Sequence, residues 1–357
     1  MTKKQLHYAE AKRLKGFCAE ALAKVNVPEG DAAIIADTMV EAELRGVDTH
    51  GVMRLAPFIK MLSEGNMNPR PKLSIVKETP VTAVMDADNG AGNLVCVRAA
   101  EIAIEKAKKV GVGVIGVRNS THCNALAYYP MMALKHDMMG LMTTNCPPRI
   151  PPYGGVTRIL ATNPYAAAIP AGEELPVVLD FATTVAAAGK IRLKASLGEK
   201  IPLGWALDRY GQPTRDAQEA LEHGFLAWMG DHKGYGLAVL ATILAGVLTG
   251  SAFSLATFPK TSVAEYGTEL IREGHFIMVL RVDSFMPVDQ FKKRMDEMIR
   301  EIRSSQPAQG FTRIYLPGEI EFEKKQERLN TGIPLTEFVW ASLLSVKKEL
   351  KLESNLE

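Results

Sequence analysis

Residues 111–130 read G-V-G-V-I-G-V-R-N-S-T-H-C-N-A-L-A-Y-Y-P, and two readings of them compete. Gly111, Gly113 and Gly116 match the G-x-G-x-x-G dinucleotide fingerprint. That fingerprint needs a strand before it and a helix after it, so that the helix N-terminus holds the pyrophosphate. Here the order is inverted. Residues 91–110 read as a helix, and 112–117 are a Val/Gly/Ile run that reads as a buried strand. Gly111 is then a helix C-cap, and Gly113 and Gly116 are close-packed strand positions. The strand delivers His122 to its carboxyl end, at the start of an expected helix running to residue 135. There an imidazole can face a cleft with amide N–H groups nearby. A histidine bonded in a turn is the plain alternative.

The 357 residues carry a net charge of +2, with Lys and Arg spread throughout, which argues against nucleic acid or an anionic membrane as partner. The cysteines Cys18, Cys96, Cys123 and Cys146 have no C-x-x-C spacing and no zinc-like cluster in sequence. They read as free thiols in a reducing cytoplasm, and the polar N-terminal residues carry no signal-like apolar run. Residues 234–251 are uncharged and nearly long enough to span a bilayer, but their glycines and alanines suit a helix buried on all sides.

Along the chain, helices are expected over 8–25, 28–44 and 50–63, the last capped by Asp48-Thr49. A Pro-rich linker follows at 68–71. Strands are expected at 73–76, 81–86, 112–117, 138–144, 163–170, 176–181, 275–282 and 313–316. Helices are expected at 183–197, from about 233, at 288–304 and twice at the end. Residues 205–214 read as an excursion with a turn. This order implies an α/β (α+β-like) core flanked by helices from both chain ends.

Four stretches carry chemistry. In R-G-V-D-T-H-G-V-M-R (45–54), His50 and Arg54 fall on one face of the expected helix. A guanidinium there can clamp a carboxylate, and the imidazole can exchange a proton. Asp180 ends an apolar strand, and a buried carboxylate needs a partner; a histidine is one, an N-cap role another. Lys233 opens the apolar helix between glycines and suits a phosphate-bearing cofactor, or is simply solvated. His122 completes the set.

At these residues the chain resembles the type II malate/L-lactate dehydrogenase family, from about residue 11 to 335. The matching motifs are residues 45–54, 119–129, 163–164 with 178–183, Lys233-Gly234-Tyr235-Gly236-Leu237 and Pro317-Gly318-Glu319. The resemblance implies a non-Rossmann, largely antiparallel or mixed cofactor-binding sheet and a homodimer. It further implies hydride exchange between nicotinamide and a small 2-hydroxy acid, malate first. By motif match, His122 falls on the proton donor/acceptor, and His50 with Asp180 on a second site given that role. Arg54, Thr49 and Thr121 fall at the substrate. Cys146, Asp180, Phe181, Ala182, Lys233, Gly318, Glu319 and Ile320 fall on cofactor positions.

No metal is expected. Thr121 stands for the family's Asn and Asn124 for its Gly, which bears on substrate choice. Glu319 facing a ribose would favour NAD over NADP. The implied division is a helical substrate and dimerisation domain, 1–75 with 306–357, and an NAD(P)-binding domain, 76–305. Other acids acted on within the family are lactate, sulfolactate, ureidoglycolate, a diketo acid or a cyclic imine acid. A non-catalytic scaffold and a membrane protein are the readings from other classes.

Overall fold

The computed structural model describes residues 6–257 and 272–356; the polar stretch 1–5 lies outside them. The strands are β1 (Leu6–Ala9), β2 (Ser74–Glu78), β3 (Thr82–Asp86), β4 (Val112–Ser120), β5 (Met138–Thr144), β6 (Tyr165–Ile169), β7 (Val177–Phe181), β8 (Ala206–Leu207), β9 (Pro213–Thr214), β10 (Phe225–Leu226), β11 (Glu273–Arg281) and β12 (Ile333–Thr336). The helices are α1 (Ala11–Lys24), α2 (Glu29–Leu44), α3 (Leu55–Ser63), α4 (Gly92–Val110), α5 (Tyr128–Met131), α6 (Ala188–Ser196), α7 (Ala217–Glu222), α8 (His232–Thr242), α9 (Val288–Ser304), α10 (Glu319–Thr331) and α11 (Glu337–Leu350).

Seven strands form one sheet in the order β2-β3-β4-β11-β5-β6-β7. Only β3 and β4 pair in parallel; the other neighbours are antiparallel. The sheet is mixed and largely antiparallel, with no doubly wound Rossmann order. A second core is shared by α1, α2 and α3 with β12 and α11 from the far end of the chain, through Leu14, Phe17, Leu22, Met39, Leu55, Ile333 and Leu343. β1 pairs with β12, which ties the two ends together. This strand was not anticipated, because four residues at an edge carry too little periodicity to read.

The glycines at 111, 113 and 116 have structural roles. Gly111 caps α4 at φ +89°, a left-handed conformation. A Cβ at Gly113 would sit 2.0 Å from the Ala103 carbonyl oxygen, so this glycine lets α4 lie directly on β4. The other face of the sheet carries α8 and its π-helical extension, Ile243–Val247. Cβ atoms at Gly116 and Gly274 would collide with Thr249 and the Ala245 carbonyl, so small residues are what this approach demands. Hence Ala238, Ala241 and Ala245 face the sheet. Leu240, Ile243, Val247 and Leu248 are exposed at 44–63%, so the segment is not buried on all sides as expected. Among the described residues no helix is long and apolar enough to cross a membrane.

Four local expectations fail. The helix expected over 50–63 begins only at Leu55, after two 3-10 turns, Asp48–His50 and Val52–Arg54, and neither Asp48 nor Thr49 caps it with a side chain. The buried Glu43 carboxylate takes the Val52 N–H at 2.9 Å and presses on Gly51, breaking the helical ladder there. His122 does not open a helix; it sits in an irregular loop between β4 and α5. Residues 313–316 form no strand, and the helix expected over 183–197 starts at Ala188.

Gly113→Ala is expected to cost about 2 kcal/mol or more, because helix and strand backbones must separate. Gly16→Ala, in α1 with nothing within 4 Å of the added Cβ, is expected to be neutral or stabilising by up to ~1 kcal/mol. Thermal unfolding of the two variants beside the parent protein checks both.

Candidate active site

The His122 loop is fixed from both sides. Thr121 is fully buried; its hydroxyl donates to the Gly90 carbonyl at 3.1 Å and accepts the Gly92 N–H at 3.0 Å. Gly92, at the start of α4, packs so tightly on the Thr121–His122 backbone that a Cβ there would lie 2.1 Å from the Thr121 carbonyl oxygen. Thr121 therefore anchors the loop, and its hydroxyl is engaged by the backbone of Gly90 and Gly92. On the other side, Asp180 accepts the Ala127 N–H at 2.8 Å, which ties the loop to the end of β7.

The fold brings the two candidate histidines together. The rings of His50 and His122 stack, with centroids 5.7 Å apart and planes 26° apart. Thr49 Oγ1 lies 2.9 Å from His50 Nδ1, and Arg54 Nε donates to the Thr49 carbonyl at 3.0 Å. The three therefore share one turn, though not one helix face. His122 Nδ1 lies 3.1 Å from both Asn124 Oδ1 and the Asn124 N–H.

Burial pushes the His50 pKa down to about 4, helped by the Arg54 charge. His122 is driven well below the ordinary imidazole value by burial, then by Arg54 and His50. Both rings are neutral at pH 7. Asp180 does not partner a histidine. Its carboxylate serves loop amides and faces Arg45. It keeps some solvent contact, yet crowding by protein raises its pKa to about 6.

The expected cofactor residues gather at the end of β7. The Thr183 carbonyl takes the Met229 N–H at 2.9 Å, and Gly234 packs on both residues. This sets the start of α8 beside residues 181–183. The Pro317 carbonyl takes the Val178 N–H at 3.0 Å, and Gly318, at φ +94°, fits against Val178. Phe181 stacks on Tyr165, and Ala182 and the exposed Ile320 leave small or apolar surface nearby. Lys233 is exposed, and its ammonium makes no ion pair among the described residues. Cys146 lies across β5 and β6; its N–H donates to Asn163 Oδ1, whose amide reaches α8 at the Ala238 carbonyl.

Glu319 departs from expectation. One of its oxygens takes Arg303 at 2.5 Å and the other the Leu316 N–H at 2.7 Å, so its carboxylate is occupied by the protein. A cationic side chain held in solvent at a helix start, beside small residues at 182 and 234, fits the anionic phosphates of a dinucleotide.

Several buried groups escaped the sequence reading. Glu43, pushed up by burial and by the Asp48 charge, shapes the His50 turn. Cys96, Cys123 and His275 place their ligand atoms within 4.8 Å of one another, a cluster that no sequence spacing announced. Both His275 nitrogens are engaged by hydroxyls, Thr144 at 2.8 Å and Ser120 at 2.9 Å. Glu273 is fully buried with neither carboxylate oxygen bonded, and burial lifts its pKa to about 7 against the pull of His275, Arg149 and Arg54.

Residues 9–344 match the malate/L-lactate dehydrogenase family. The chain belongs to that family. It is a dehydrogenase of 2-hydroxy acids, and the histidine pair lies in an enzyme of that class. It is 38% identical to a malate dehydrogenase of Pyrococcus horikoshii over 96% of this chain and 95% of that one. It is 40% identical to an L-sulfolactate dehydrogenase of Methanocaldococcus jannaschii over 95% and 96%. The structure of the Pyrococcus horikoshii malate dehydrogenase superposes with a TM-score of 0.90 at 35% identity, covering 99% of each chain.

A Glu273→Gln variant tests the buried carboxyl. The unfolded-state pKa is about 4.3 and the folded value about 7. The folded protein thus binds the extra proton between these values, and ionisation costs stability as pH rises through the window. Gln mimics the protonated form. Its stability relative to the parent is expected to improve by about 3 kcal/mol from pH 4.5 to pH 8, read by denaturant titration at both pH values.

Proposed function

We propose that the protein oxidises (S)-malate to oxaloacetate reversibly with a nicotinamide cofactor. The observation that carries this reading is the stacked His50–His122 pair beside Arg54. Arg54 holds the substrate 1-carboxylate through its planar fork. His122 takes the hydroxyl proton on oxidation and returns it on reduction. His50, steadied by Thr49, orients the hydroxyl and is the runner-up base. The bound nicotinamide supplies or accepts the hydride at the substrate 2-carbon. The cofactor is held by Lys233 at its phosphates and by the backbone around Cys146, Asp180–Ala182 and Gly318–Ile320.

Electrostatics favour this order of events. Arg54 depresses both imidazoles in the free site. A carboxylate paired to Arg54 cancels that charge, so the substrate raises the basicity of the group that must accept its proton.

A dicarboxylate needs a second cation. Arg149 lies within electrostatic reach of Glu273, which also feels Arg54. Arg192 is exposed on α6, where a Cβ added at Gly189 would meet the Thr49 methyl at 3.4 Å. Sulfolactate, with a sulfonate in place of the second carboxylate, is the second reading, favoured by the 40% identity to the L-sulfolactate dehydrogenase. The preference for NAD no longer has Glu319 as support; NAD(P) turnover measured side by side decides it. The two chain ends sharing one core support a helical unit, 1–75 with 306–357, beside a cofactor-binding unit, 76–305. The open apolar face at Ile243, Val247 and Leu248 supports a homodimer.

Following NADH and NADPH absorbance with oxaloacetate, sulfopyruvate and pyruvate is the direct test; no turnover with oxaloacetate sinks the malate reading. His122→Ala is expected to lower kcat by roughly 10²–10⁴-fold with KM little changed. Arg54→Gln is expected to raise KM at least tenfold. If His50→Ala is the nearly dead variant and His122→Ala loses less than about tenfold, the two histidines exchange roles.

The pH profile is a further check. Because the substrate neutralises Arg54, the acid limb of kcat for malate oxidation is expected at higher pH than the limb of kcat/KM set by the free enzyme. Coincident limbs would remove Arg54 as the carboxylate clamp.

A further inference from the structure

Asn124 presents both an acceptor and a donor to the same atom. Its Oδ1 and its own N–H each lie 3.1 Å from His122 Nδ1, and a single nitrogen can satisfy only one of them at a time. With a proton on Nδ1, the ring donates to Oδ1 and Nε2 is bare. With Nδ1 bare, the ring accepts the backbone N–H and the proton sits on Nε2, where it blocks a base. Asn124 is 3% exposed and holds φ +60°, a left-handed conformation that side-chain-bearing residues adopt reluctantly. The chain therefore keeps a buried amide at a position whose backbone suits glycine. The contact that this amide makes is with the ring of His122.

We propose that Asn124 is a positioning residue: its side-chain carbonyl keeps the His122 proton on Nδ1, so that Nε2 is free to take the substrate hydroxyl proton. When the O–H bond breaks, its proton goes to Nε2 while the other proton stays on Nδ1, donated to Asn124 Oδ1. The ring becomes imidazolium and the bond to Oδ1 becomes charge-assisted and stronger. The groups facing this ring, Arg54, His50 and His275, all disfavour its charged form; the Asn124 bond is what opposes them. The proposal rests on His122 as the proton acceptor.

The test uses full-length enzyme with ¹⁵N-labelled histidine and two variants. Asn124→Gly removes the carbonyl, keeps the backbone N–H and relieves the left-handed strain, so its melting temperature should hold or rise. It is expected to move the His122 proton from Nδ1 to Nε2 in ¹⁵N spectra. It should also lower kcat for hydroxy-acid oxidation roughly 10- to 100-fold, with KM within about twofold. Asn124→Asp keeps an acceptor and adds a negative charge; it is expected to retain the Nδ1–H form and shift the acid limb of kcat to higher pH. A bare Nδ1 in the parent enzyme overturns the proposal, as does an Asn124→Gly protein with unchanged tautomer or unchanged kcat. Should His122→Ala retain near-parental kcat while the ¹⁵N result holds, the base assignment fails instead, so the two failures are distinguishable.

Discussion

Two imidazoles and a guanidinium share one small volume, and positive charge there is rationed. Arg54 brings a guanidinium charge to this volume. It sits close enough to His50 and His122 to depress both, and His50 depresses His122 further. Both rings are therefore neutral beside Arg54, with the buried Glu273 carboxyl also within reach of that guanidinium. In the proposed mechanism a 2-hydroxy acid held by Arg54 offsets that charge and lowers the cost of protonating a ring.

The rest of the fold serves this arrangement. The His50 turn exists because Glu43 captures the Val52 N–H and interrupts what would otherwise be a continuous helix. The His122 loop is pinned by Thr121 to α4 and by Asp180 to β7. The imidazoles therefore come from two separate cores, one built from the chain ends and one from the sheet. Neither core could orient both rings alone.

Much of this was legible in the sequence, and the failures have physical causes. The inverted context of Gly111, Gly113 and Gly116 excluded a dinucleotide turn, and close backbone packing now accounts for those glycines. His50, His122 and Arg54 could be named because polar groups at element boundaries stand out against apolar runs. What could not be read were hydrogen bonds formed over long sequence separations. Thr121 serves Gly90 and Gly92, Asp180 serves loop amides, and Glu319 pairs with Arg303. In each case the residue type is right for a site, and the partner that claims it lies elsewhere in the chain. The open face of α8 misled for a related reason: an apolar run without charge looks alike whether its large side chains point into a core or out of it.

A sheet with mostly antiparallel neighbours has no row of helix N-termini along one edge, so it cannot offer the phosphate cradle of a parallel nucleotide fold. The equivalent proposed for this chain draws on three distant pieces, the end of β7, the start of α8 and the turn at Pro317–Gly318, which backbone bonds between Met229 and Thr183 and between Val178 and Pro317 join. Lys233 then contributes charge that a parallel fold draws largely from helix dipoles. Because that charge is a flexible exposed side chain, affinity for an anionic cofactor should depend on ionic strength more steeply than when backbone amides dominate. The glycines at 234 and 318 are what allow these pieces to close on one another, since a Cβ at either would strike the neighbouring backbone.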